Sequence, residues 1–166
     1  RRSSDLSGSG AIAVALDKIS GAEVTAVEID ETAFSYLETN VKENNSSVKP
    51  VMADALKICD TFADGELDLV VSNPPYIKSA DIETLQKEVR LEPRLALDGG
   101  EDGYDFYREI VSRWSRKLKK GGALAFELGE NQADAVKALM TDKGFSDFKI
   151  SLDFGGVQRA IIGTLL

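Results

Sequence analysis

Short apolar runs alternate with amphipathic segments along most of the chain. The runs are rich in β-branched residues and have the length of buried strands, which predicts strands over 24–29, 48–52, 67–72 and 123–128. Apolar positions at helical spacing predict helices over 11–19, 31–44, 104–118 and 130–143. Two further strands are predicted over 145–152 and 160–166, with a Gly155-Gly156 turn between them. Strands that alternate with helices predict an α/β fold with a mainly parallel sheet.

The length of 166 residues, 43% of them hydrophobic, predicts a single domain over residues 1–166. Twenty basic and 28 acidic residues give a net charge of -8, so a nucleic acid is not the expected partner. The sequence shows neither an apolar run of membrane-spanning length nor an export signal. We therefore expect no membrane partner and a cytoplasmic location, while the oligomeric state stays open.

Histidine does not occur in the sequence, and Cys59 is its one cysteine. This composition excludes Ser-His-Asp and Cys-His catalysis, histidine-ligated zinc and a disulfide within the chain. We expect no metal site. The chemistry of the protein must therefore depend on other side chains and on the backbone.

The beginning of the sequence is polar, although it directly precedes a glycine loop at residues 7–10. Such loops normally follow a buried apolar strand, so residues 1–4 indicate a fragment or a break near Ser4. The connection over 77–103 is long for a compact domain, and connections of that length are usually functional.

Three features fall at the carboxyl ends of predicted strands, where parallel α/β sheets bind their ligands. The first is the glycine loop, in which Gly8 and Gly10 allow positive φ angles and close approach of a ligand, although a plain tight turn would look the same. The second is Glu28, 18 residues past Gly10, which is placed to accept ribose hydroxyls unless it is a solvated strand end. Together they predict an adenosine-type ligand.

Asp54 follows the third predicted strand. Its carboxylate has two possible uses. It could accept a hydrogen bond from an adenine amino group, or it could cap the turn into residues 55–58. The sequence does not decide between them.

The third feature is the segment Asn73-Pro74-Pro75-Tyr76. The Asn73 side-chain oxygen and a backbone carbonyl fixed by the prolines provide two acceptors, which suit a planar –NH2 group with its two donors. Tyr76 offers a flat apolar face beside that group. The alternative is a proline-rich structural turn.

Residues 67–77 resemble the fourth motif of class I S-adenosylmethionine-dependent amino methyltransferases. Residues 92–103 and 106–108 are similar to one branch, the HemK-type glutamine methyltransferases of peptide chain release factors. Further likenesses to this branch are Glu127-Leu128-Gly129 with Gln132 and the spacing of Asp153, Gly156 and Arg159. The resemblance extends over nearly the whole chain.

The resemblance implies a doubly wound, mostly parallel, Rossmann-like sheet of seven strands with an antiparallel last strand. It implies methyl transfer from S-adenosylmethionine to the side-chain amide nitrogen (N5) of glutamine in the Gly-Gly-Gln loop of a release factor. Catalysis is assigned to Asn73 and Pro74, and substrate binding to Asn73, Pro74, Pro75 and Tyr76. The residues assigned to cofactor binding are Gly8, Gly10, Glu28, Ile29, Asp54, Ala55 and Asn73.

The sequence departs from the family pattern at two points, and these limit the residue roles that the resemblance implies. Asp5 stands three positions before Gly8, one closer than the family spacing, so it receives no role. The helical N-terminal domain with which the family helps to recognise the release factor does not occur in this sequence. Its absence agrees with the expectation of a fragment.

Three other functions fit part of the pattern. An adenine-N6 methyltransferase acting on DNA or RNA would use the same Asn-Pro-Pro-Tyr segment on a flipped base. A non-catalytic nucleotide-binding or partner-binding module would bind ligand without turnover. An NAD-dependent oxidoreductase fits the glycine loop and Glu28 but gives no reason for residues 73–76.

Overall fold

The computed structural model describes the backbone of residues 2–6 and all atoms of residues 8–87 and 89–166. In these residues seven strands form one sheet with the order β3-β2-β1-β4-β5-β7-β6. Neighbouring strands from β3 to β5 are parallel, whereas β7 is antiparallel to both β5 and β6. This confirms the predicted α/β class and the antiparallel last strand. The strands are β1 (Arg2–Leu6), β2 (Glu23–Glu28), β3 (Lys49–Met52), β4 (Leu67–Ser72), β5 (Leu118–Glu127), β6 (Phe145–Leu152) and β7 (Gln158–Leu165).

The helices connect the strands and cover the sheet in two apolar clusters. One cluster lies where α1 and α2 pack on β2, around Leu37, and the other where α5 and α6 pack on β4 and β5, around Trp114. The helices are α1 (Ala11–Ser20), α2 (Glu31–Glu43), α3 (Ala55–Ile58), α4 (Arg94–Leu97), α5 (Asp105–Trp114) and α6 (Ala133–Thr141). None of the helices in the described residues combines the length and apolar character that a membrane crossing needs.

The polar start of the chain forms a strand, which the apolar pattern did not predict. β1 lies in the middle of the sheet and pairs in parallel with β2 on one side and with β4 on the other. Ladder hydrogen bonds from both neighbours satisfy its backbone, so pairing overrides a sequence that lacks an apolar run. Ser7 of the glycine loop and the Asp5 side chain lie outside the described residues.

The boundary between α5 and β5 differs from the prediction. A helix was predicted over 104–118, but α5 ends at Trp114, a 3₁₀ turn follows over Ser115–Lys117, and β5 begins at Leu118. Gly121 lies inside β5 with a φ of 77°. The β4–β5 pairing shifts there, because Leu67 pairs with Leu118 and Leu69 with Ala123. Gly121 therefore allows a bulge in β5 and does not cap a helix.

The strand order reverses on either side of the β1–β4 pair, and this brings the predicted features together. β1 leads into the glycine loop, β2 ends at Glu28 and β4 ends directly before Asn73. Since β1 pairs with both β2 and β4 in parallel, the three carboxyl ends lie side by side at one edge of the sheet. Reversal points of this kind are where doubly wound sheets bind ligands.

Candidate functional site

Glu28 and the glycine loop are in direct contact. The Glu28 Oε2 atom accepts a hydrogen bond from the Gly8 amide at 2.8 Å. Its Oε1 atom accepts from the amides of Ile29 at 2.8 Å and Asp30 at 2.7 Å. The carboxylate thus holds the loop to the end of β2, and Oε2 keeps a free lone pair that can accept a hydrogen bond from a hydroxyl group.

Gly8 and Gly10, the two glycines of the loop that the structure describes, have different surroundings. Gly10 is the N-cap of α1 with a φ of 81°, and a Cβ atom there would lie 2.3 Å from Leu37 Cδ1, so a side chain would displace the buried Leu37 side chain. Gly8 also has a positive φ, 51°, but a Cβ atom there would meet nothing within 4 Å. The surface above Gly8 is therefore open to a ligand, whereas Gly10 is needed for packing.

Asp54 caps α3, which is one of its two predicted uses. Its Oδ1 atom accepts from the Leu56 amide at 2.9 Å, and its Oδ2 atom lies 3.1 Å from Lys57 Nζ. The contact with an adenine amino group stays a prediction. Nearby, Ala55 accepts a hydrogen bond from Trp114 Nε1 at 3.2 Å through its carbonyl, and Ile29 exposes 51% of its surface.

Asn73 projects from a loop that is fixed on both sides of it. Pro74 is buried, while Asn73 is exposed and makes no hydrogen bond within the described residues. Downstream, the Ile77 amide donates to the Leu97 carbonyl at 3.0 Å and the Gly99 amide donates to the Ile77 carbonyl at 2.8 Å. The amide group of Asn73 is therefore available to a ligand on a rigid support.

A cavity of about 470 Å³ adjoins this loop between β4, β5, β7 and α1. Ile12 and Phe126 are among its apolar lining residues, and Ser72, Glu127 and Arg159 are its polar ones. The Ser72 hydroxyl is buried without a hydrogen-bond partner in the described structure. Burial raises the pKa of the Glu127 carboxyl, and the charge of Arg159 opposes that shift. The cavity can hold a small, partly polar group beside Asn73.

The sequence model of the methyltransferase small domain matches residues 2–92. That range is just over half of the chain, and it contains the glycine loop, Glu28 and the Asn-Pro-Pro-Tyr loop. The chain belongs to the methyltransferase small-domain family.

Curated relatives of this methyltransferase domain are named release factor glutamine methyltransferases. The chain is 42% identical over 160 residues to the one from Geobacter sulfurreducens, covering 95% of the chain and 55% of that protein. It is 38% identical over 159 residues to the one from Fusobacterium nucleatum, covering 94% of the chain and 44% of that protein. The chain thus spans about half the length of the curated relatives that it matches.

A solved methyltransferase from Pyrococcus furiosus superposes on the domain with a TM-score of 0.74 at 24% identity. The superposition covers 98% of this chain and 73% of the other. The likeness shows the fold, which is that of the class I methyltransferases, as predicted.

Sequence reasoning gave no role to several residues that the structure places around the Asn-Pro-Pro-Tyr loop. Glu127 and Arg159 line the cavity, and Gln132 donates a hydrogen bond to the Tyr76 carbonyl at 3.1 Å. All three lie in segments that carry the family resemblance, which is the signal that could have singled them out. Their contacts join segments distant in sequence, and local spacing does not report such contacts.

Proposed function

We propose that residues 1–166 form the catalytic domain of an S-adenosylmethionine-dependent methyltransferase that modifies glutamine. The acceptor is the side-chain amide nitrogen of the glutamine in the Gly-Gly-Gln loop of a peptide chain release factor. The observation that carries the proposal is the unpartnered Asn73 amide on a rigid loop beside both the cavity and the Glu28 site. The names of the curated relatives support the substrate. Because release factors act on ribosomes, the proposal places the activity in the cytoplasm.

The proposed cofactor site fits the residues that surround it. The open surface above Gly8 and the free lone pair on Glu28 Oε2 suit the ribose of an adenosyl group. Bound S-adenosylmethionine supplies an electrophilic methyl group on a sulfonium sulfur. The residues that would hold it are Gly8, Gly10, Glu28, Ile29, Asp54, Ala55 and Asn73.

The protein's own task is to orient a poor nucleophile, since the lone pair of an amide nitrogen is delocalised into its carbonyl. The Asn73 side-chain oxygen and the Pro74 carbonyl accept the two amide hydrogens and so fix the direction of the nitrogen. Both oxygens bind the nitrogen's hydrogens more strongly as positive charge develops on it, which stabilises the transition state more than the ground state. The nitrogen would take the methyl group as the carbon–sulfur bond breaks, and it would then lose one proton to the solvent that the exposed Asn73 faces. Tyr76 and the cavity wall exclude water from one side.

The substrate class is tested by offering isotope-labelled S-adenosylmethionine and the 166-residue chain to a release factor, duplex DNA and RNA in parallel. We expect label in the release factor and none in the nucleic acids. Label in adenine would instead support the adenine-N6 alternative, which uses the same two acceptors. Binding of S-adenosylmethionine without transfer to any of the three would indicate a non-catalytic module.

Glu28→Ala is expected to weaken the binding of S-adenosylmethionine by roughly 10- to 100-fold, because a charged hydrogen bond contributes about 1.5–3 kcal/mol. Turnover at saturating cofactor should change less than about threefold, since Glu28 does not contact the acceptor. Calorimetric titration measures the affinity, with Glu38→Ala on the exposed side of α2 as control. Equal affinities of Glu28→Ala and the unmodified chain would remove Glu28 from the cofactor site.

Phe154→Ser is expected to raise the KM for an intact release factor about tenfold and to leave kcat unchanged. Phe154 is fully exposed at the tip of the β6–β7 hairpin, which lies at the same edge of the sheet as Asn73. Asp153 stiffens the tip by accepting hydrogen bonds from the amides of Gly155 at 2.8 Å and Val157 at 3.0 Å. A rigid exposed aromatic ring is a typical anchor for a protein partner.

Steady-state kinetics with the intact factor and with a short Gly-Gly-Gln peptide measures this effect. The peptide lacks the rest of the release factor's surface, so we expect its KM not to change. Ile19→Ser is the matched control, because Ile19 is exposed at the C-terminal end of α1, at the opposite edge of the sheet. An unchanged KM of Phe154→Ser for the intact factor would exclude the hairpin tip from the protein contact.

A further inference from the structure

We propose that Gln132 is a positioning residue that sets the Asn-Pro-Pro-Tyr loop for methyl transfer. Gln132 lies just before α6 and exposes 8% of its surface. Its Nε2 atom donates to the Tyr76 carbonyl at 3.1 Å and to the Gly103 carbonyl at 3.3 Å. Its Oε1 atom accepts from the Gly129 amide at 3.0 Å and lies 3.3 Å from the Tyr107 hydroxyl, whose one hydrogen it shares with the Glu127 carbonyl at 2.8 Å. One buried amide group therefore contacts four residues, at the Asn-Pro-Pro-Tyr loop, around the start of α5 and directly before α6.

The loop needs such a contact because its own backbone provides few donors. Pro74 and Pro75 have no N–H groups, so they cannot donate hydrogen bonds and only their carbonyls can accept them. On the β4 side the last paired residue is Ser72, opposite Phe126. On the other side the Tyr76 carbonyl is held by the Gln132 side chain. The position of the two acceptors at Asn73 and Pro74 is thus determined between the end of β4 and this hydrogen bond.

Close packing at Tyr76 supports the same conclusion independently of the hydrogen bonds. A Cβ atom would lie 2.8 Å from Tyr76 Cα if added to Gly99, and 2.6 Å from the Tyr76 carbonyl oxygen if added to Gly103. If added to Gly129 it would lie 2.9 Å from Tyr76 Cδ2 and 2.6 Å from Gln132 Oε1. The three glycines, two in the connection after the loop and one after β5, leave no room for a Cβ atom beside Tyr76. The Gln132 amide is inserted into this tightly packed region, where a small displacement would move the loop.

Gln132→Glu and Gln132→Met separate the donor function from the volume of the side chain. Gln132→Glu keeps an oxygen for the Gly129 amide and the Tyr107 hydroxyl, but an ionised carboxylate cannot donate to the Tyr76 and Gly103 carbonyls. Burial and the two facing carbonyl oxygens raise the pKa of the introduced carboxyl, and the protonated form can donate again. Gln132→Met fills the space and cannot donate at any pH.

We expect the kcat of Gln132→Glu to fall at least tenfold near neutral pH, with the affinity for S-adenosylmethionine changed less than twofold. The ratio of its kcat to that of the unmodified chain should rise as the pH is lowered. Gln132→Met should lose kcat without this recovery. Gln86→Glu is the matched control, since Gln86 is exposed in the connection after the loop and should keep full activity. A pH-independent kcat ratio for Gln132→Glu, or an unchanged kcat in both Gln132 variants, would overturn the proposal.

The kinetic predictions for the Gln132 variants rest on the proposed function, so a second measurement is needed that does not depend on activity. Hydrogen exchange of the Ile77 amide, which donates to the Leu97 carbonyl, should become at least tenfold faster in Gln132→Met. Exchange of amides in the middle of α5 should stay as slow as in the unmodified chain. Unchanged exchange at Ile77 would contradict the positioning role even if the unmodified chain transferred no methyl group. Missing transfer with faster exchange would contradict only the proposed function.

Discussion

Asn73→Ala is expected to lower the turnover of glutamine methylation by roughly 10²- to 10³-fold, the usual effect of removing one electrostatic partner of a transition state. The Asn73 side chain is exposed and unpartnered in the described structure, so its removal leaves no buried polar group unsatisfied. The prolines that follow keep the loop in place. The affinity for S-adenosylmethionine should change less than about threefold, because most of the proposed cofactor contacts come from other segments.

Single-turnover kinetics at saturating cofactor measures the Asn73 effect, and calorimetry measures the affinity. Asn44→Ala is a suitable control, since Asn44 lies at the end of α2 and its side chain donates only to the Asn40 carbonyl at 2.8 Å. The control should keep full turnover. If Asn73→Ala kept full turnover, the proposed acceptor role of the side-chain oxygen would be wrong. If it lost turnover and cofactor affinity in equal measure, the contact of Asn73 with the cofactor would explain the loss, and the acceptor role would be wrong.

Gly99→Ala is expected to lower turnover by roughly 100-fold, the loss typical of a displacement of about 1 Å at a reacting group. The added methyl group would lie 2.8 Å from Tyr76 Cα and 2.9 Å from the Pro75 carbonyl oxygen. Both are backbone atoms, so no rotamer change relieves the contact and the loop itself must move. Overpacking of this kind also destabilises the fold by about 1–3 kcal/mol. Gly99 does not adopt a left-handed φ, so the effect reports close packing alone.

Gly65→Ala separates lost stability from lost activity. Gly65 has a φ of 69° with nothing within 4 Å of an added Cβ atom, and it lies before β4, at the edge of the sheet opposite Asn73. The strain of a left-handed alanine should cost about 1–2 kcal/mol in the free energy of unfolding and leave turnover unchanged. Thermal unfolding and turnover are measured on both variants. Equal losses of activity at matched stability would show that Gly99 has no special relation to the loop.

The sequence predicts those parts of the fold in which burial requires a recognisable pattern of apolar residues. β4 has the predicted bounds because a buried strand needs a run of apolar residues, and β6 has them because apolar and polar residues alternate along this edge strand between two turns. β1 was not predicted, since its strand state depends on pairing with β2 and β4 and not on its own polar side chains. The early end of α5 was also missed. The β4–β5 register shift around Gly121 follows this boundary, and only the partner strand reveals it.

The candidate site was predictable as far as topology determines it. The glycine loop, Glu28 and Asn73 lie together because each follows a parallel strand, and the Glu28 contact with Gly8 agrees with that expectation. The contacts of Gln132 could not be predicted from the sequence. Its partners Tyr76 and Gly103 are 56 and 29 residues away, and spacing within one element carries no information about such distant neighbours.

The most direct test of the account is the chemical position of the transferred methyl group. A release factor is incubated with the 166-residue chain and methyl-labelled S-adenosylmethionine, and the products are sequenced by tandem mass spectrometry. We expect one methyl group on the side-chain nitrogen of the glutamine in the Gly-Gly-Gln loop, and none when that glutamine is replaced by glutamate. Label that persists in the release factor with glutamate at this position, or that lies on another residue, would contradict the central claim that this site binds a primary amide.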